Sequence, residues 1–235
     1  MPPLALLAGG LATRLRPLTE QIPKAMIEVA GKPFIAHQLR LARREGISRV
    51  VLCVGYRWEQ IRDFVGDGRR FGVDVDYAVD GPKLLGTGGA LRNAIDKLGR
   101  EFMVMYGDSW LDTPFRPIVE AFRASHKPAL MTVFRNDGRW DRSNVWFEDG
   151  QIKRYDKRET VPQMNYIDWG LSVVTADALL EQPPDTPFDL ATVFSALVQR
   201  GAMAGYEVKT RFYEIGSAGG LAETDALLRS SPQSL

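Results

Sequence analysis

Short apolar runs alternate with helical spacings through the first half of the chain. Leu4-Ala5-Leu6-Leu7-Ala8 runs without a polar break into Gly9-Gly10, which predicts a buried strand emptying into a glycine turn. Ile35, Leu39 and Ala42 lie on one helix face, with Gly46 where a helix C-terminus is expected. Val50 to Val54 reads as a second buried strand, and Trp58, Ile61 and Val65 mark a helix closed by Gly66. Val73, Val75, Tyr77 and Val79 alternate with Asp74, Asp76 and Ala78, the pattern of a strand near a sheet edge. Leu91, Ile95 and Leu98 place a helix over 87–98, and Phe102 to Tyr106 is a further buried strand stopped by Gly107-Asp108.

The second half is less regular. Ala129 to Arg135 and Leu171 to Val174 read as strands. Asn144–Glu148 and Gln151–Tyr155 flank Asp149-Gly150, a strong hairpin signal. Helices are predicted near Ala176–Glu181, over Leu190–Arg200 and around Leu221, Thr224 and Leu228, the last preceded by an extended segment from Phe212 to Ile215. The alternation implies an α/β fold, a mainly parallel sheet with helices on both faces plus a small antiparallel portion. The chain, 1–235, reads as one domain in two halves, 1–110 and 111–235.

Composition narrows the classes. With 235 residues, 45% of them hydrophobic, the chain can bury one sizeable core. A net charge of +1 does not suit a broad nucleic-acid surface. One cysteine, Cys53 inside an apolar run, excludes an internal disulfide and fits a reducing compartment. Met1-Pro2-Pro3 lacks the basic start of a secretory signal, and no apolar stretch approaches the ~20 residues of a membrane span, so a cytoplasmic protein is expected. His37 and His126 match no metal spacing and read as structural.

The stretch 6–19, Leu-Leu-Ala-Gly-Gly-Leu-Ala-Thr-Arg-Leu-Arg-Pro-Leu-Thr, followed by Pro23-Lys24, carries the chemistry. Gly9 and Gly10 let backbone N–H groups approach phosphate oxygens. Arg14 as a fork and Lys24 as a point charge can bind the same anion. The Walker loop's terminal Gly-Lys-Ser/Thr is absent, and a Rossmann fingerprint would need glycines where Leu11 and Arg14 stand. Residues 6–33 closely resemble the signature of the sugar nucleotidyltransferase family, Gly-Gly-x-Gly-Thr-Arg-Leu-x-Pro-Leu-Thr and then Pro-Lys-Pro, with Ala12 for a glycine and Ala25 for a proline. The resemblance covers most of the chain and is weakest between about 110 and 165.

The resemblance implies a Rossmann-like nucleotide-diphospho-sugar transferase fold and assigns roles, nucleotide binding to the half at 1–110 and sugar-phosphate binding to the half at 111–235. Leu7, Ala8, Gly9, Gly10, Thr13, Asp80, Gly86, Thr87 and Gly88 are expected at the nucleotide, although Thr87 could equally serve only as a helix cap. Asp108, after the strand ending at Tyr106, is the expected Mg²⁺ ligand, joined by Glu214, where the family carries an Asp. Tyr106, Asp156, Lys157, Asp168 and Gly170 are expected at the sugar phosphate. Arg14, Lys24 and Asp108 would carry catalysis. The implied reaction joins a nucleoside triphosphate, GTP or UTP, to a sugar 1-phosphate and releases pyrophosphate. The first 105 residues look closest to short bacterial guanylyl- and uridylyltransferases acting on heptose, mannose or N-acetylmuramic acid 1-phosphates. A cytidylyltransferase of sugar phosphates or phospho-alcohols, or a non-catalytic nucleotide-binding regulator, are the alternatives. No nucleic-acid or membrane partner is expected, and the protein is taken as a monomer or homodimer.

Overall fold

The computed structural model describes residues 1–10, 15, 17–81 and 83–230, and of Leu18 the backbone alone. In chain order the strands are β1 (Leu4–Leu7), β2 (Glu28–Val29), β3 (Lys32–Pro33), β4 (Arg49–Val54), β5 (Asp74–Val79), β6 (Glu101–Tyr106), β7 (Ser109–Trp110), β8 (Ala129–Arg135), β9 (Val145–Glu148), β10 (Gln151–Tyr155), β11 (Tyr166–Thr175), β12 (Met203–Val208) and β13 (Tyr213–Glu214). The helices are α1 (Phe34–Arg44), α2 (Trp58–Val65), α3 (Gly86–Leu98), α4 (Arg116–Ser125), α5 (Asp177–Leu180), α6 (Leu190–Gln199) and α7 (Ala218–Ser230).

The main sheet runs β5–β4–β1–β6–β11–β8–β12, with the β9–β10 hairpin joined to the start of β11. Strands β5, β4, β1 and β6 are parallel, and β8 and β12 are parallel to each other. β11 lies antiparallel between β6 and β8. The predicted edge strand is at the edge: β5 pairs only with β4 among the described residues.

Both faces of the sheet are covered. One face packs Phe34, Leu39, Ile61, Ile118 and Leu228 from α1, α2, α4 and α7. The other packs Leu91, Leu179 and Leu197 from α3, α5 and α6. Each such buried apolar side chain contributes roughly 1.5–3 kcal/mol of transfer free energy. The Asp149-Gly150 turn has φ values of 50° and 72°, the positive torsions that a tight hairpin requires. His37 holds the Val29 carbonyl at 2.8 Å through Nε2 and meets Trp110 edge-on, a structural histidine as expected. Five of these elements were not foreseen: α4, β12 and the two-residue strands β2, β3 and β7. None of the described helices is long and apolar enough to cross a membrane.

Candidate active site

The carboxyl ends of β1, β4 and β6 open onto a cleft of about 490 Å³. This is where parallel α/β sheets place ligands, because neighbouring connections diverge there. Leu7 to Gly10 form one wall; Cys53, Asp80, Leu84 and Ala90 form another; Tyr106, Asp108, Lys24 and Gly216 form the floor. Burial pushes the Cys53 thiol up to about 12, so this sulfur is an inert part of the wall.

At the floor, Lys24 Nζ lies 2.6 Å from Asp108 Oδ2. Glu214 reaches the same place because β13 pairs with β7, setting Glu214 opposite Ser109, and because Ile215 N–H donates to the Asp108 carbonyl at 2.9 Å. The three charged groups crowd one point. A Cβ on Gly216 would stand 2.6 Å from Glu214 Oε2, 2.9 Å from Lys24 Nζ and 3.3 Å from Asp108 Oδ2. The Glu214 carboxylate also accepts from the Gly216 N–H and, at 2.6 Å, from the Ser217 hydroxyl. Only glycine at 216 leaves room for this cradle, and Gly220 is packed directly against the same carboxylate. Two carboxylates and a cavity kept clear of side-chain carbon suit Mg²⁺, which takes few protein ligands and completes its shell with phosphates and water. No group of three or more acidic, His or Cys ligands exists among the described residues.

Asp80 follows β5 on the opposite wall. Its Oδ2 accepts the Leu85 N–H at 3.0 Å, while Oδ1 is buried with no partner among the described residues. Burial pushes its carboxyl above the usual range, against the pull of that N–H.

The opening turn of α3 is built differently from the expectation. Gly86 and Thr87 line the cleft, but the Thr87 hydroxyl does not cap its own helix. It donates to Asp189 Oδ1 at 3.0 Å and accepts from Leu190 N–H at 2.9 Å, joining α3 to the start of α6. Gly88 faces away from the cleft: its N–H donates to the Phe188 carbonyl at 3.0 Å, and a Cβ there would enter the Phe188 ring. Gly88 thus packs against Phe188 and is not among the residues that line the cleft. Gly88→Ala is expected to cost about 1–3 kcal/mol by overpacking, lowering Tm by several degrees in a thermal melt.

Beside β6 runs the antiparallel strand β11. Its register shifts between Asp168 and Ser172, and Gly170 takes φ 103°, a torsion that disfavours any side chain. That bend brings Asp168 beside Tyr155, whose hydroxyl donates to Oδ2 at 3.3 Å. Burial raises the Asp168 carboxyl while the Lys157 ammonium opposes it. Lys157 Nζ sits 5.3 Å over the Tyr106 ring and 3.4 Å from its hydroxyl. Asp156 does not join this group. Its Oδ1 is committed to the N–H groups of Arg158 (2.8 Å) and Glu159 (3.0 Å), which hold its carboxyl low. Thr13 and Arg14 lie outside the described residues.

Sequence reasoning overlooked Gln38, Asp189 and Phe188. Gln38 sits in a helix that reads as pure core packing, and Asp189 is distant in sequence from everything it touches. Only Asp189, a carboxylate just before an apolar helix, left a trace, as an N-cap signal.

Residues 5–143, more than half the chain, match the family model described as Nucleotidyl transferase. Mannose-1-phosphate guanyltransferase beta-A of Xenopus laevis is 27% identical over 218 residues, covering 90% of this chain and 60% of the relative. The chain therefore spans about 60% of the length of that relative. Mannose-1-phosphate guanyltransferase of Gibberella zeae is 37% identical over 125 residues, covering 52% of this chain and 34% of the relative. Among solved structures, a putative glucose-1-phosphate thymidylyltransferase from Bacillus anthracis, in complex with a sucrose, superposes with TM-score 0.88 at 22% identity, over 98% of this chain and 96% of that one. HddC from Yersinia pseudotuberculosis complexed with GMP-PN gives TM-score 0.78 at 22% identity, over 97% and 99%. These likenesses establish the fold.

Proposed function

The chain belongs to the nucleotidyl transferase family, and from that premise we propose that it transfers a guanylyl group from GTP to a sugar 1-phosphate, releasing pyrophosphate. The observation that carries this reading is the cradle at Gly216, where Lys24, Asp108 and Glu214 meet at the floor of the cleft that Gly9 and Gly10 enter.

The reaction is an in-line displacement at the α-phosphorus. A sugar-phosphate oxygen forms the new P–O bond while the bond to the β-phosphate oxygen breaks. A phosphate monoester is already largely dianionic at neutral pH, its second pKa being near ~6, so no general base is required. The task is to hold two polyanions together and neutralise the charge that develops. Asp108 and Glu214 would hold Mg²⁺, which supplies charge neutralisation at the phosphate oxygens. Lys24 exchanges its bond to Asp108 for the triphosphate, and Arg14 is proposed to add a second cation. The Gly9 and Gly10 backbone lies against the phosphates. Lys157, poised over Tyr106, receives the sugar phosphate, and Asp168 accepts from sugar hydroxyls.

Asp80 supports guanine as the base. Guanine presents two adjacent donors, N1–H and the 2-amino group, a fork that a carboxylate can accept. Adenine and cytosine pair each amino donor with a ring acceptor, and uracil flanks its single N–H with two carbonyls. An ionised Asp80 with an unpartnered oxygen therefore favours guanine. The guanylyltransferase relatives lend support to the same base.

The test is pyrophosphate release by the purified protein with Mg²⁺, across GTP, UTP, dTTP, CTP and ATP and the 1-phosphates of mannose, heptose and N-acetylmuramic acid. Release is expected only with both substrates present, fastest with GTP. Silence across the whole panel would rule out the transferase reading.

A further inference from the structure

Gln38 is fully buried in the middle of α1, where Leu39 and Leu41 beside it are ordinary core residues. Its amide nitrogen donates twice, to the Tyr106 carbonyl at 3.1 Å and to the Ser109 carbonyl at 3.0 Å. Those carbonyls stand on either side of Gly107-Asp108. One amide thus ties together both ends of the turn that presents the Asp108 carboxylate.

The need for such a tie follows from where the sheet stops. Tyr106 is the last residue of β6, and β11 pairs with β6 only from Met105 backward. Past that point the backbone turns out of the ladder. Gly107 N–H still reaches the Leu7 carbonyl at 2.9 Å, and the Asp108 carbonyl takes Ile215 N–H. The Tyr106 and Ser109 carbonyls turn toward α1 and meet Gln38. Because Ser109 is the register partner of Glu214, the same amide also fixes β7 against β13. Gln38 Oε1, meanwhile, is buried with no partner among the described residues. A buried orphan acceptor lowers stability, and a leucine would fill this site without one. Its retention is explained by what the other end of the amide does.

We infer that Gln38 is a positioning residue: it sets the separation of the Asp108 and Glu214 carboxylates by pinning the two carbonyls that flank Asp108. It is not among the residues that line the cleft. This rests on the transferase reading insofar as those carboxylates hold the divalent ion.

Gln38→Met keeps the volume and removes both donors. Three quantities are compared with the wild type: Mn²⁺ affinity of the whole protein by electron paramagnetic resonance, the Mg²⁺ concentration giving half-maximal pyrophosphate release, and Tm. The inference expects Mn²⁺ binding weakened at least tenfold and the Mg²⁺ requirement raised in parallel. It further expects the KM for GTP to stay within twofold and turnover to recover at high Mg²⁺. Wild-type Mn²⁺ affinity in a variant with lowered Tm would make Gln38 a packing residue and overturn the inference. Gln38→Asn, one methylene too short to span both carbonyls, serves the same comparison if Met is not accommodated. If the wild type released no pyrophosphate from any substrate pair, the transferase reading would fall, while the Mn²⁺ titration would still decide the role of Gln38.

Discussion

Replacing Asp108 by Asn is expected to reduce the rate of pyrophosphate release by roughly 10²–10³-fold, the loss typical of removing one preorganised electrostatic contact. The fold should survive. The carboxylate side chain is about a third exposed (32%) and its ion pair with Lys24 lies at the cleft floor, whereas the β7–β13 junction is held by the Asp108 main-chain carbonyl, which Asn retains. Partly solvated ion pairs contribute little to stability. Lys24→Met should be comparably inactive, but for a different reason. It removes the cation offered to the triphosphate and leaves Asp108 free of a competing charge. Mn²⁺ titration of the nucleotide-free protein separates the two: Asp108→Asn weakens binding, while Lys24→Met preserves or tightens it, because a positive charge bound to the carboxylate opposes a second cation. Equal Mn²⁺ affinities in both variants would show that Asp108 does not face the ion.

Asp80→Asn is expected to exchange one base for another. Asn offers one acceptor and one donor, so it no longer accepts both guanine donors. Xanthine keeps N1–H and replaces the 2-amino group by a carbonyl, which matches Asn. The ratio of kcat/KM for GTP to that for xanthosine triphosphate should therefore fall by about 10–10² for each of the two base contacts, following the 1–3 kcal/mol of discrimination carried by a good paired contact. A merely structural Asp80 would depress both nucleotides alike. The wild type also carries a pH signature. Burial raises the Asp80 carboxyl, so on acidification it takes up its proton before an ordinary carboxyl does, and the protonated form has lost an acceptor. KM for GTP should consequently climb as pH falls through that raised range, and the climb should be absent in Asp80→Asn.

Much of this was legible from the chain alone, and the reasons are local. The run Leu4–Ala8 before two glycines became β1 and the cleft wall because a continuous apolar strand must be buried on both faces. The Asp149-Gly150 turn was readable because few residues tolerate two positive torsions in succession. Lys24 and Asp108 were both assigned by resemblance to the family, Lys24 within its signature and Asp108 where a buried strand stops at Gly107.

What escaped depended on partners far along the chain. α4 has only Ile118, Val119 and Phe122 buried, too sparse a stripe to stand out in a weakly patterned region. In β12, Gly205 has no side chain to show the strand period, and its bareness is explained by the Phe147 ring packed on it. The packing of Gly88 on Phe188 was hidden because nothing near it in sequence announces Phe188. That the Asp156 carboxylate closes its own turn was likewise not evident from the chain.

The sequence by itself determined the strand–helix alternation, the glycine turn and the identity of the charged groups, since these follow from side-chain period, torsional tolerance and formal charge. The family resemblance already paired Asp108 with Glu214; tertiary structure alone decided that Lys24 joins them around Gly216, and that Gln38 braces the turn. Those distances are set by strand register and by the β7–β13 pairing between segments about a hundred residues apart, and nothing local to either segment encodes them.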